Sequence, residues 1–536
     1  MSEISKPVLV VGAGPVGLTT ATELLRRGVP VRIVDKAAGA SPLSKALLVW
    51  PRTLEILRRL GGDAHIAARG MPLNAFRYYS SGAPVGTLRF RPRTKPVILP
   101  QPDVEALLHD ALTDAGGTVA WSTELLGVEQ DDTGVRAVLR GPDGASHTEE
   151  FAYAVGCDGA SSRVRELLGI PFDGATYPAT FVVADIDMEG PLEHDTSHYY
   201  CSPQGVLVTC GLPNGRFRVF TSAPADLDRD HITLEQVQRL VDERGPGGLT
   251  LSDPVWISAF SVHARRAERT REGRVFLLGD AAHIHSPAGG QGLNTGVGDA
   301  HNLAWKLALV LRGAAAPGLL DTAAAERHQV AEAVVRQADV QTKLWMVRKP
   351  YQTALRDLLV RLGSAARIAD LAYVPWLAGL RLVYGDRTGP RRRIGGHADG
   401  GLLTDREVWD ARTARRRPLR TALDDDRYTL LVVSDGRPLP AATARAVRSA
   451  ERLTGLVGVR YLDTTRQDLT DTAPAPAAYG RPRPRPLGRG PLLLLVRPDQ
   501  HIALARRAAD AHEILAALTR LAPAPARDGE RVPVAA

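Results

Sequence analysis

Cysteine is nearly absent: Cys157, Cys201 and Cys210 are the only three in 536 residues. Three thiols cannot build a disulfide framework, and none forms a Cys-x-x-Cys pair, so a reducing, cytoplasmic setting fits best. No cysteine follows Cys210, which removes dithiol exchange from everything after it. No run of eighteen uninterrupted apolar residues exists, so no membrane span is expected. Val8–Leu25 is apolar, but its glycines, Thr19, Thr20, Thr22 and Glu23, and the lack of a basic start and a cleavage site, exclude a signal peptide. There is no His/Cys/Asp cluster at metal-ligand spacing and no Gly-x-Ser-x-Gly elbow. Charge of one sign is not concentrated either. The net charge of +8 comes mostly from arginine scattered among Ala, Gly and Pro, with short runs such as Arg391–Arg393 and Arg415–Arg417. That is the mark of a GC-rich genome rather than of a nucleic-acid face.

What is present is a chain with 44 % apolar and 24 % charged residues, long enough for two to four domains. It opens as strand, glycine turn, helix and strand. Val8–Val11 is apolar throughout, as in a buried parallel sheet. Pro15 can start a helix because its missing amide is not needed there. Leu18, Ala21 and Leu25 share one helical face, Gly28 stops it, and Val31–Val34 is the next strand, closed by Asp35.

From about Tyr177 to Val262 the pattern becomes period two, with Phe181–Ile186, Val206–Thr209, Phe217–Thr221 and Trp256–Val262 as strands. This predicts an antiparallel sheet inserted into the first domain. Arg274–Leu278 returns to a buried strand, a helix follows through Ala300, Leu303, Leu307 and Leu311, and helical stretches run over Ala323–Arg348 and Thr353–Leu382. A last unit reads as strand Thr429–Val433, helix Ala441–Leu453, strand Gly458–Asp463, strand Leu492–Val496, strand His501–Ala505 and helix Ala508–Leu521, with a Pro/Arg/Ala-rich excursion at Ala473–Pro491. The expected fold class is α/β. It comprises a Rossmann-like domain (5–176 and 263–394), an inserted antiparallel β-sheet domain (177–262), a C-terminal unit in thioredoxin-like order (395–522) and a disordered tail (523–536).

Three motifs carry the chemistry. Gly12-Ala13-Gly14-Pro15-Val16-Gly17 is a Gly-x-Gly-x-x-Gly turn whose helix N-terminus can receive a pyrophosphate, and Asp35 stands where a carboxylate can bind ribose. Gly156-Cys157-Asp158-Gly159 with Ser161, Ser162 and Arg163 is the second. Gly279-Asp280-Ala281-Ala282-His283 is the third, with Asp280 at the carboxyl end of a parallel strand. His285-Ser286-Pro287-Ala288-Gly289-Gly290-Gln291-Gly292-Leu293-Asn294 follows, its glycines allowing backbone to lie flat against a ring.

In this order the motifs resemble those of para-hydroxybenzoate hydroxylase-like, class A FAD-dependent monooxygenases over roughly residues 5–390. Gln101, Glu105 and Leu108 match the family's Gln-x-x-x-Glu-x-x-Leu pattern. Ser44-Lys45-Ala46 replaces the commoner Ser-Arg-Ala, keeping charge but losing the planar fork. The C-terminal order, with Arg497-Pro498-Asp499-Gln500-His501 in place of Arg-Pro-Asp-Gly-His, is similar to the extension of aromatic polyketide hydroxylases.

The resemblance implies non-covalent FAD held by Gly12, Gly14, Pro15, Val16, Gly17, Asp35, Lys36, Lys45, Gln101, Leu125, Asp158, Asp280, Pro287, Gly290, Gly292, Leu293 and Asn294. Pro287, Gly289, Gly290 and Gln291 would face the ring. It also implies NADPH or NADH as electron donor and transfer of one oxygen atom from a flavin C4a-(hydro)peroxide to a small aromatic, polyketide-like substrate. No catalytic side chain is assigned; His263, His283 and His285 are candidate acid–base groups, of which His283 and His285, in a family-typical stretch, are read as shaping the loop.

Tyr199, Tyr200 and Phe220 are candidate walls of a flat substrate pocket, and Asp299, opening an outer helix, is expected to matter far less to FAD than Asp280. The C-terminal domain is expected to add no group to the chemistry. Hydroxylation, Baeyer–Villiger insertion and antibiotic inactivation stay open. So, further off, do a flavin reductase and a non-catalytic flavin-binding protein. A flavin halogenase would need a Trp-x-Trp-x-Ile-Pro segment, which is missing. The partners expected are the aromatic substrate and molecular oxygen, with no nucleic acid or membrane, for a monomer or homodimer.

Overall fold

A computed structural model describes residues 4–42, 44–224, 227–385, 392–434, 439–464, 466–471 and 491–523. It divides into two compact units, Lys6–His301 with Arg327–Leu382, and Asn302–Glu326 with the chain from Val383.

In the first unit, Val8–Val11 is fully buried at the centre of a six-stranded sheet. It pairs in parallel with Val31–Val34 on one side and Tyr153–Gly156 on the other, and Val275–Leu277 pairs in parallel beyond the latter. The registers put Val11 opposite Gly156, and Gly156 opposite Leu277. Three motifs about 140 and 120 residues apart in sequence therefore leave the sheet side by side at its carboxyl edge, where α/β sheets bind ligands. The Pro15–Leu25 helix starts with Pro at its first turn, as expected.

The second sheet of this unit has eight strands. Phe172–Glu189 and Thr250–Ala267 form a long antiparallel pair, and Phe217–Ser222, Gly205–Gly211 and Thr196–Ser202 continue it. Pairing thus begins at Phe172, earlier than the period-two pattern suggested. The sheet also recruits Ala75–Ser80 and Ala83–Arg89, which the sequence left in the first segment. Ala75–Ser80 pairs in parallel with Thr196–Ser202, and no local signal reports so distant a partner.

Alternation along these strands divides the side chains between two faces. One face carries Phe76, Tyr78, Tyr199, Val206, Val208, Phe181, Phe220 and Phe260; the other carries Tyr79, Tyr200, Leu207, Val219 and Val182, covered by Val237 and Val241 of the Leu234–Arg244 helix. The long helical stretch predicted over 353–382 is broken. Helix Pro350–Ala365 ends before Arg367, which has φ +55°, and a π-helical turn Ala369–Tyr373 then leads into Val374–Leu377.

In the second unit, Tyr428–Ser434 runs parallel to Val457–Asp463 and antiparallel to Leu492–Val496, which pairs with Ile502–Arg507; helices Ala441–Glu451 and Ala511–Leu521 complete a thioredoxin-like order. Glu407–Asp410, Arg415–Pro418 and Asp468–Thr470 extend the sheet to seven strands. The apolar run Leu492–Val496 is buried on both faces inside this unit, Leu493 and Leu495 against Trp305, Leu309 and Tyr428, Leu492 and Leu494 against Val408 and Leu419. Nearly all of the predicted excursion at 473–491 and of the tail at 523–536 lies outside the described residues.

A buried ionic network lies in the same unit. Lys306 Nζ donates to Asn302 Oδ1 at 3.0 Å and Glu326 Oε2 at 2.8 Å, while Arg497 bridges Glu326 and Asp499. Burial, helped by the nearby Arg497, pulls the Lys306 ammonium down to about 7 against the opposing pull of Glu326. Gln500 has φ +60°, which explains why glycine commonly fills that place.

All three cysteines are buried, and burial pushes the Cys201 and Cys210 thiols up to about 11. Among the described residues no helix is long and apolar enough to cross a membrane, and no cluster could hold a metal ion.

Candidate functional site

The glycine turn is built by exclusion. A Cβ on Gly17 would lie 1.8 Å from Gly12 O, and one on Gly12, at φ +102°, would lie 2.5 Å from Cys157 O. These two glycines weld the first motif to itself and to the second. Gly14 differs: nothing lies within 4 Å of its missing Cβ, and the helix behind it has no side-chain cap. The first amides of the Pro15–Leu25 helix thus open outward, as a pyrophosphate requires. A Cβ on Gly279 would meet Val16 at 2.8 Å, so the third motif also packs onto the first.

Around this point the carboxylates take distinct roles. Asp35 accepts from Ala13 N at 2.7 Å and Ala37 N at 2.8 Å, pinning the turn to the second strand. Asp158 accepts from Ser162 Oγ at 2.6 Å and Val164 N at 3.1 Å, so its two oxygens serve its own turn. Asp280 is exposed at the surface beside the turn. Desolvation by the protein around it raises its carboxyl, while His283 and Lys45 lower it, which places Lys45 in its electrostatic neighbourhood. Lys36 and Lys45 are exposed, and Leu125 is buried in the core with Val11 and Val34, leaving only its backbone for a ligand. Gln101 accepts from Ala46 N at 3.3 Å and donates to Glu105 at 2.8 Å.

Asp299 does not open an outer helix but lies inside Gly292–Leu311, on its buried side. It is 1 % exposed and accepts from Gly279 N at 3.0 Å, His283 Nε2 at 2.7 Å and Arg327 Nε at 2.5 Å. Burial alone would raise its carboxyl, but Arg327 and His283 hold it below the ordinary value. Asp299 therefore sets the turn that presents Asp280.

The loop after the third motif is clamped from several sides. Asn294 accepts from Trp50 N at 2.9 Å and donates to Leu48 O at 2.8 Å and Gly290 O at 2.7 Å; Trp50 Nε1 donates to Gly289 O at 3.0 Å. Gly289 and Gly290 have φ +80° and +61°, so these bends favour glycine. Pro287 is exposed, and Gly292 and Leu293 open the following helix. His285 donates from Nδ1 to Ser286 O at 2.8 Å, and burial lowers it to about 4. It is neutral at pH 7 and shapes the loop.

Ala288 of this loop belongs to the same apolar cluster as Phe76, Phe181, Tyr199, Trp345, Val374 and Leu377. Phe181 stacks on Phe220 with centroids 5.0 Å apart, and Tyr78 on Tyr199 at 4.9 Å. Of the three proposed wall residues, Tyr199 and Phe220 share this face. Tyr200 does not: it points to the opposite face and stacks on Tyr79 at 4.6 Å. Neighbours on a strand cannot share a face, so Tyr199 excludes Tyr200. Sequence reasoning missed Phe260 and Tyr78, which follow from the same alternation, and Trp50, which no local pattern flags. At one end of the face Arg218 holds Asp185 through two 2.7 Å bonds, and Trp256 Nε1 donates to Asp185 at 3.0 Å.

Comparison with known proteins agrees with this geometry. The chain is 36 % identical over 445 residues to 6-methylpretetramide 4-monooxygenase of Streptomyces rimosus, covering 80 % of this chain and 79 % of that protein. It is 33 % identical to pentachlorophenol 4-monooxygenase of Sphingobium chlorophenolicum, covering 84 % and 82 %. The solved aklavinone-11 hydroxylase, in a ternary complex with FAD and aklavinone, superposes with a TM-score of 0.73 at 29 % identity, over 98 % of this chain and all of that one. The FAD binding domain family matches residues 5–338. With its three motifs meeting at one sheet edge, the chain belongs to that family and is an FAD-dependent monooxygenase.

Proposed function

We propose that this monooxygenase hydroxylates a flat, polycyclic phenol, with NADPH or NADH as electron donor and molecular oxygen as co-substrate. One observation carries the reading: a single apolar cluster joins Ala288 of the flavin-facing loop to the aromatic face of Phe181, Tyr199 and Phe220. A planar substrate on that face would meet rings in stacked geometry, each pair adding about 0.5–1.5 kcal/mol beyond its buried area.

FAD, when bound, supplies the redox chemistry and the activation of oxygen. The chain supplies position and dryness. The helix amides behind Gly14 would receive the pyrophosphate, Asp280 would receive ribityl hydroxyls, and the loop 287–291 would offer backbone to the ring. The aromatic face excludes water from the reacting edge. His285 is not poised as a general acid, since it is neutral and already donates its Nδ1 proton to Ser286 O. The relatives' names support an aromatic substrate, and the breadth of the aromatic face favours several fused rings over one.

The test is turnover under ¹⁸O₂ with FAD and NADPH or NADH, using aklavinone as polycyclic probe and pentachlorophenol as single-ring probe. Mass spectrometry should find one labelled oxygen in a phenolic product of the polycyclic probe, which should be preferred over the single-ring probe, whose fully chlorinated ring would instead release chloride and give a labelled quinone. A ring-expanded lactone would replace hydroxylation by Baeyer–Villiger insertion. Peroxide without labelled product from any phenol would remove the oxygenase reading.

A further inference from the structure

The wall of the aromatic face and the flavin-facing loop are joined by a short polar chain inside an otherwise apolar cluster. Tyr373 ends the π-helical turn Ala369–Tyr373 and is packed, partly buried, against the apolar cluster that contains Tyr199 and Ala288. Its hydroxyl donates to Gln341 Oε1 at 3.0 Å and accepts from Gln337 Nε2, which also reaches Gln341 Oε1 at 3.0 Å. Gln341 then lies against the loop: a Cβ on Gly289 would be 3.2 Å from Gln341 Oε1 and 3.4 Å from Leu377. Two further bonds tie the same elements together, Thr342 Oγ1 to Ser286 Oγ at 2.7 Å and Gln291 Nε2 to Leu377 O at 3.1 Å.

This arrangement is costly for a wall that need only be apolar. π-helical turns are rare and cluster at functional sites. Gln337 Oε1 is buried with no hydrogen-bond partner among the described residues, a penalty that a purely structural wall would shed by using a leucine.

We infer that Tyr373 and Gln341 are positioning residues that couple the aromatic wall to the Gly289–Gln291 loop, so that the seating of a flat substrate fixes the loop for oxygen transfer. The inference rests on the reading above for its substrate, but its mechanical half does not. A substrate seated against this cluster would bear on Tyr373, whose hydroxyl passes that constraint through the Gln341 amide to Gly289.

Two measurements on the FAD-loaded full chain test it. The first needs no substrate: hydrogen–deuterium exchange of the loop 286–292 in Tyr373→Phe. Exchange should rise at least fivefold there and stay unchanged in the 8–25 segment. Unchanged exchange in 286–292, or a rise spread equally over both segments, overturns the coupling. The second uses aklavinone as probe and reads hydroxylated product formed per NAD(P)H consumed. Tyr373→Phe and Gln341→Leu should each lower that ratio at least threefold, with peroxide making up the difference. The double variant should be no worse than the worse single one. Additive losses, or an unchanged ratio, overturn the inference. If wild type oxygenates no probe, the proposed function fails while the exchange experiment still decides the coupling.

Discussion

At the scale of single residues, chemistry and support separate cleanly. Asp280 is exposed, and Asp299 is buried with three donors, one of them the amide of the neighbouring Gly279. Asp280→Ala should weaken FAD binding at least tenfold and leave the melting temperature of the apoprotein nearly unchanged. Asp299→Asn should lower the apoprotein's melting temperature by several degrees, because breaking a buried charge pair costs about 3–5 kcal/mol. Its pH dependence follows from the lowered carboxyl: the folded state binds the proton less readily than the unfolded chain. The stabilisation is therefore full above the ordinary carboxylate range and is lost as pH falls through the folded value. Thermal scans of wild type and variant should converge in acid. Tyr199 and Tyr200 give a second contrast. Tyr199→Ala should raise the KM for an aromatic probe at least fivefold. Tyr200→Ala should lower stability by about 3–5 kcal/mol, as large-to-small core changes do, with KM unchanged.

At the scale of elements, the glycine turn predicts opposite fates for neighbouring substitutions. Gly17→Ala collides with backbone and should prevent folding of the strand–turn–helix unit. Gly14→Ala has room for its methyl and should fold as wild type, yet lose FAD retention because the methyl stands where the pyrophosphate approaches. Circular dichroism and flavin absorbance on the two variants distinguish these outcomes. This element was legible in the sequence because its logic is local: a strand, three glycines, a proline and an acid within 28 residues. The same holds for the thioredoxin-like order, where each strand is a short apolar run and each helix an amphipathic one.

What escaped the sequence is long-range or alternating. Arg327 meets Asp299 across 28 residues and Trp50 meets Gly289 across 239, with no spacing rule to announce either. Ala75–Ser80 pairs in parallel with a strand that starts at Thr196. The assignment of Tyr200 to the pocket failed for another reason: strand alternation was readable but was not applied to adjacent tyrosines.

At the scale of the whole molecule, the boundary between units does not follow chain order, since Asn302–Glu326 groups with the C-terminal chain. Truncation at Gly395 would strip Trp305, Leu309 and Lys306 of Tyr428, Leu493 and the Arg497 bridge to Glu326. The shortened protein should be insoluble or lose FAD, and sedimentation with flavin quantitation would show it. A fully soluble, FAD-loaded truncation would contradict the shared core. The same core carries a pH signature. Lys306 titrates near 7 when folded and near its ordinary, higher value when unfolded. Between those values the unfolded chain binds the extra proton, so stability should rise with pH from about 7 upward. Lys306→Met should abolish that rise in a series of melting curves.

The placement of the three thiols has a practical consequence for spectroscopy. Cys157, Cys201 and Cys210 are buried in the first unit, and burial keeps them protonated, so alkylating dyes should pass them by in the native protein. The second unit has none. A cysteine installed at Trp409, which is 42 % exposed, would be the one reactive thiol on the folded chain. A fluorophore there would report the second unit's unfolding, while the intrinsic emission of bound flavin would report the first. One sample with two colours could then reveal whether the units melt together or in sequence.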